Sequence, residues 1–215
     1  MLFKKNYDRG SEAKQVLAKQ FKIGSIEAAS GWSIDLEDAV VLASEAERFL
    51  QHRHISYLEF GFGLSTRIVS QYLEGSFQSY SMVSLEGDEK YFMEARDWVE
   101  SKSFSRGRVE IKHVPYDNES GVFAEEIVCD VLNAGPPDLV FVDAPPDTNA
   151  LDVRLKTVEF FLPLLRRKSI VVIHDAKRAD ELYAFASLRR KFLDSSFYET
   201  PKGIAVLRFP DGAAQ

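Results

Sequence analysis

Two rhythms of apolar residues alternate along this chain. In one, Leu36, Val40, Ala43, Ala46 and Leu50 recur at helical spacing, which predicts a helix over 35–50 with Ser33 or Asp35 as its cap. The same spacing in Ile68, Val69 and Tyr72, in Phe92, Ala95 and Val99, and in Phe123, Ile127 and Val131 predicts helices over 65–73, 88–101 and 121–132, with Asp88 capping the second of these. Further helices are expected over 151–165, with Pro163 near the end, and over 178–192, and a polar helix over 11–21. In the other rhythm, short apolar runs at 56–60, 81–85, 109–114, 138–142 and 169–173 predict strands. Near the end, 196–199 and 204–208 flank Thr200-Pro201-Lys202-Gly203, a turn signal that predicts an antiparallel pair.

Strands separated by helices imply an α/β fold: a parallel sheet with helices on both faces, here closed by an antiparallel hairpin. The near-continuously apolar runs at 138–142 and 169–173 fit the buried centre of that sheet. There is no internal repeat or low-complexity tract. The chain reads as a helical arm over 1–30, one domain over 31–210 and a short tail over 211–215.

A length of 215 residues suits one domain, and 45% hydrophobic with 28% charged residues is a globular composition. The net charge of −6 argues against nucleic acid and anionic membrane as partners. The sole cysteine, Cys129, excludes an internal disulfide and is expected to be a core thiol. With neither a secretory signal nor a membrane-length apolar run, the expected location is the cytoplasm.

Ligands of such sheets bind beyond the carboxyl ends of the strands, so the chemistry is sought there. After the first strand come Gly61, Phe62 and Gly63, where two glycines allow a sharp turn and a close backbone approach. Ser65 and Thr66 open the next helix, whose free N–H groups favour an anion. After the second strand stands Glu86, spaced to accept hydrogen bonds from ribose hydroxyls; the alternative is plain surface charge. After the fourth and fifth strands stand Asp143 and Asp175. Three readings stay open for this pair: a divalent cation site such as Mg, a general base, or loop caps. His174 is the neighbouring group whose ordinary pKa lies near neutrality, and it is a candidate base. Arg154, Lys177 and Arg178 are expected on the same rim, as binders of an acidic acceptor or as solvated charge. Trp32 is a candidate stacking residue or a packing staple.

The run from Tyr57 through Glu59, Phe60, Gly61, Phe62, Gly63, Leu64 and Ser65 to Thr66 resembles the first motif of class I S-adenosylmethionine-dependent methyltransferases, nearest the E-F-G-x-G-x-S-T subgroup. Leu85-Glu86, the run 138–143 and the run 169–175 resemble the later motifs in order and spacing. The resemblance implies a Rossmann-like three-layer sandwich, with a mostly parallel seven-stranded sheet and a reversed last strand. It implies that Gly61 and Gly63 pass the cofactor's methionine end, Glu59 anchors its amino group and Glu86 binds its ribose. It further implies that Asp117 touches adenine, Ser65 and Thr66 cap the helix or reach the carboxylate, and Asp143 faces the cofactor or acceptor. Ala176 departs from the metal-dependent catechol-type members, which carry Asn or Asp there, and this counts against a metal. The expected activity is O-methylation of a small molecule or saccharide by a cytoplasmic enzyme, with a homo-oligomer possible. Two alternatives remain: a NAD-dependent oxidoreductase, disfavoured by Thr66 at the third small position of the nucleotide fingerprint, and a methyltransferase-like binding domain without turnover.

Overall fold

The computed structural model describes residues 9–23, 34–116, 123–124, 128–131, 135–144, 153–165, 168–192 and 194–209. Asp117, Trp32 and half of the helix expected over 121–132 lie outside them. Helix α1 (Arg9–Lys19) and helix α2 (Leu36–Glu47) precede strand β1 (His54–Phe60). Then come α3 (Leu64–Ser76), β2 (Ser79–Glu86), α4 (Glu89–Glu100), β3 (Gly107–His113) and β4 (Leu139–Val142). Helix α5 (Val153–Phe161), β5 (Ile170–Ile173), α6 (Ala179–Leu188), β6 (Asp194–Tyr198) and β7 (Ile204–Arg208) complete the described chain. Pro163 converts the end of α5 into a 3-10 turn over Leu162–Leu164, because proline lacks the N–H that would continue the helix.

The seven strands lie in the order β3-β2-β1-β4-β5-β7-β6. All neighbouring pairs are parallel except those made by β7, which runs against both β5 and β6. The expected closing hairpin is present, with β7 set inside it and β6 outermost. Residues of a strand alternate between faces, and the core divides accordingly. Tyr57, Met82, Phe141 and Val172 face the layer containing Leu17, Val40, Ile68 and Leu73. Leu58, Phe60, Val142 and Ile173 face the layer containing Val158, Phe161, Phe185 and Leu188. By the same parity Glu59, Asp143 and His174 fall on the α2–α3 side at the carboxyl end of the central strands. Cys129, expected in the core, is half-buried. No described helix is long and apolar enough to cross a membrane.

Candidate active site

The loop joining β1 to α3 is held from three sides. The Gly61 N–H donates to the Leu85 carbonyl at 2.8 Å, and the Asp143 N–H donates to the Phe60 carbonyl at 3.0 Å. Gly61 has φ +101°, a conformation that calls for glycine, and a Cβ there would stand in a tight 3.1 Å contact with the Ala144 Cβ. Gly63 differs. Its backbone is extended, with φ −177°, and a Cβ would meet no atom of the described residues within 4 Å. Among the described residues, the space beside Gly63 is open. Phe62 packs on Trp98 of α4, with the Arg67 guanidinium 5.5 Å from the Phe62 ring and 5.8 Å from the Trp98 ring.

Glu86 ties this loop to the next. Its Oε2 accepts from the Phe62 N–H and its Oε1 from the Asp88 N–H, each at 2.8 Å. Burial raises its pKa, while these N–H groups pull it down. A carboxylate offers about four lone-pair positions, so two hydroxyls can still be received. Asp88 accepts from the Lys90 and Tyr91 N–H groups, the expected cap of α4. Asp35 is the N-cap of α2; Ser33 lies outside the described residues.

Glu59 is fully buried, and its carboxylate accepts from the Ser65 and Thr66 hydroxyls and, at 3.4 Å, from the Tyr57 hydroxyl. Thr66 Oγ1 in turn accepts from the Gly63 N–H at 3.1 Å. The three residues therefore seat the first turn of α3 beneath the loop, and Glu59 has no open face toward a ligand's amino group. Burial pushes the Glu59 pKa up to about 8, although the hydroxyls oppose it. The folded protein thus keeps a proton that the unfolded chain releases above about pH 4.5. The stabilisation is full below that pH and is lost as pH rises through about 8. Between pH 5 and 8 this group alone lowers the unfolding free energy by up to ~1.4 kcal/mol per pH unit. Glu59→Gln, which carries no such proton, should flatten the pH dependence of denaturant midpoints over this range. An unchanged slope would mean that Glu59 is ionised in the fold.

At the acceptor side, His174 is wholly buried. Its Nδ1 lies 2.6 Å from Asp143 Oδ1 and its Nε2 3.1 Å from Asp38 Oδ2. Burial alone would lower the His174 pKa, but Asp143, Asp38 and Asp175 raise it to about 10. A ring that keeps both protons at neutral pH is not placed to serve as the general base. Burial would raise the Asp143 pKa, but the His174, Arg154 and Lys202 charges overcome it and hold the carboxyl below the usual range. The Asp143 side chain retains 21% of its exposure. Asp143, His174 and Asp175 offer ligand atoms within 4.8 Å of one another, close enough for a cation. Both His174 nitrogens, however, are turned to carboxylates and joined to them through protons, and the following Ala176 is buried and offers no side-chain donor.

Arg154, expected on the rim, is 6% exposed. From the opposite face its NH1 donates to the His174 carbonyl at 2.8 Å and its NH2 to the Asp143 carbonyl at 3.0 Å, while Nε pairs with Glu181 at 3.2 Å. It clamps the two strand ends and does not meet solvent. Arg178 pairs with Asp175 at 3.0 Å, and Lys177 Nζ donates to the Thr200 carbonyl, pinning the β6–β7 turn against the site. Asp38 is the site residue that sequence reading misses. Acids in a first helical turn ordinarily read as complements of the helix dipole.

A methyltransferase-domain family matches residues 58–176. No curated protein matches the chain significantly by sequence. Among solved structures, the O-methyltransferase TomG from Streptomyces achromogenes, involved in tomaymycin synthesis and in complex with SAM, superposes with a TM-score of 0.52 at 16% identity, covering 97% of this chain and 93% of its own. An O-methyltransferase from Bacillus cereus in complex with SAH gives 0.54 at 15%, covering 96% and 92%. The SAH-bound methyltransferase PaMTH1 of Podospora anserina gives 0.58 at 16%, covering 96% and 89%. At these identities the likeness is one of fold.

Proposed function

Because the chain belongs to the methyltransferase-domain family, whose match spans more than half of it, we propose that it is an S-adenosylmethionine-dependent O-methyltransferase acting on a small-molecule or saccharide hydroxyl. The observation that carries the reading is the pairing of open space beside Gly63 with a Glu86 carboxylate that still has lone pairs to offer. S-adenosylmethionine, when bound, supplies a methyl carbon made electrophilic by its sulfonium. Gly61 and Gly63 give its amino-acid end passage, and Glu86 receives its ribose hydroxyls. Asp117 remains the residue assigned to adenine.

Methyl transfer asks mainly for alignment. Asp143, held ionised by His174, accepts the hydrogen bond of the acceptor hydroxyl and so aims an oxygen lone pair. An oxygen that has just gained a methyl group is a strong acid, so a carboxylate held below the usual pKa range still takes its proton. His174 therefore acts by holding Asp143, with Asp175 as a further carboxylate beside it. A cytoplasmic location, and an acceptor that is neither nucleic acid nor membrane, belong to the same reading, as does self-association.

Gly63→Val tests it. The extended backbone and the open space accommodate the side chain, so the melting temperature should stay within ~2 °C of wild type. Calorimetric affinity for S-adenosylhomocysteine should fall by about 30-fold or more because the side chain occupies the ligand's path. Unchanged affinity would remove the ligand from this loop. Binding of NAD in place of S-adenosylhomocysteine by the wild-type chain would overturn the reading as a whole.

A further inference from the structure

We propose that Asp38 is a positioning residue of the acceptor end: from α2 it holds the Nε2 side of the His174 ring, so that the Nδ1 side fixes the Asp143 carboxylate in one orientation at the cleft. The proposal rests on the methyltransferase reading for what Asp143 does, but not for the geometry itself. Asp38 and His174 are both fully buried, and they meet at 3.1 Å although 136 residues separate them in sequence. Strand parity sends His174 and Asp143 to the face that α2 covers, so the contact follows from the register of β4 and β5. Asp38 also lies outside the family-matched residues 58–176, so the site is completed by a helix preceding them.

The remaining oxygen of Asp38, Oδ1, is buried with no hydrogen-bond partner among the described residues. Asp38 Oδ2 also accepts from the Asp35 N–H at 3.3 Å in the capping box of α2, but that cap uses only Oδ2 and leaves the cost of burying the other half of the carboxylate unexplained. A charge at this position has a use in keeping a proton on Nε2. Without one, the ring could turn or lose that proton, and Asp143 would be met by a different tautomer. The charged groups around the ring are Asp35 and Asp38 from α2, Asp143 after β4, and Asp175 after β5. Arg154 of α5 grips the His174 carbonyl, and Lys202 of the β6–β7 turn acts on Asp143. Among the described residues, Asp38 and Asp143 are the ones within hydrogen-bond distance of the ring nitrogens.

The test is nitrogen-detected NMR of the histidine rings in the full chain, which has four histidines, with His174→Gln to assign the signal. Wild type should show both ring protons of His174 from pH 6 to about 9. Asp38→Asn keeps the shape and can donate to Nε2. It should remove the Nε2 proton signal, leave the Nδ1 proton on Asp143, and bring the ring midpoint down by about two pH units or more. Asp143→Asn should remove the Nδ1 proton instead. Affinity of Asp38→Asn for S-adenosylhomocysteine should stay within about twofold of wild type, since among the described residues its hydrogen bonds reach His174 and Asp35, not the glycine loop or Glu86. Identical ring signals in Asp38→Asn and wild type, or a wild-type ring with a single proton at pH 7, would overturn the proposal. Loss of S-adenosylhomocysteine binding in wild type would sink the methyltransferase reading and leave the ring result standing.

Discussion

Glu86→Ala should weaken S-adenosylhomocysteine binding by about 100-fold or more. Two hydrogen bonds from ribose to a carboxylate are worth ~1.5–3 kcal/mol each, and tenfold in affinity is ~1.4 kcal/mol. The substitution also strips the Phe62 and Asp88 N–H groups of their acceptors, so the glycine loop loses its tie to β2. Glu86→Gln separates these effects. Its oxygen can still serve one N–H, but its amide meets the other donor to donor, so an intermediate loss of about tenfold is expected. Calorimetry on both variants decides the matter. An Ala variant within about threefold of wild type would assign Glu86 to holding the loop alone.

Arg154→Leu should lower stability by about 3–5 kcal/mol, because it leaves the Glu181 carboxylate alone in the interior. Glu181 is buried, and one of its oxygens has no partner among the described residues even in the wild-type chain. Burial already pushes its pKa up, with Arg154 opposing, so the lone group would take up a proton. For a domain of this size the loss corresponds to a fall in melting temperature of roughly 10 °C. Arg154→Leu with Glu181→Leu should recover part of it, since the interior carboxylate is gone, while the His174 and Asp143 carbonyls still lack the guanidinium donor. A single variant melting within ~2 °C of wild type would mean that solvent reaches the pair. The carbonyls that Arg154 grips belong to Asp143 and His174, so the variant should also loosen the acceptor end.

What the sequence made legible was what lies contiguous along it. The glycine loop, Glu86 and the Asp88 cap each sit within a few residues of a strand end, so period and turn chemistry locate them. The seven-stranded sheet with its reversed last strand followed from the family resemblance, and the helix and strand cores from the apolar rhythm. Contacts made across the fold were not legible. Asp38 reaches His174 only because α2 packs over β4 and β5, and nothing local to Asp38 announces it. Arg154 read as a rim charge because a basic residue near a helix start is ordinarily solvated. Its burial depends on Glu181 and two strand-end carbonyls contributed by other elements. Glu59, assigned to a ligand's amino group, is buried, and Ser65 and Thr66, six and seven residues on, take up its oxygens from within.

The reversed strand β7 has a consequence for handling the molecule. Its first residues pair beside Ile173 at the site end, and Arg208 pairs with Ile170 at the other. The chain therefore leaves the sheet on the side away from the glycine loop. A tether joined beyond β7 would anchor the protein by its back, leaving the mouth free to exchange ligand in a sensor or on a bead. Attachment at the turn through Lys202 would press the mouth against the support.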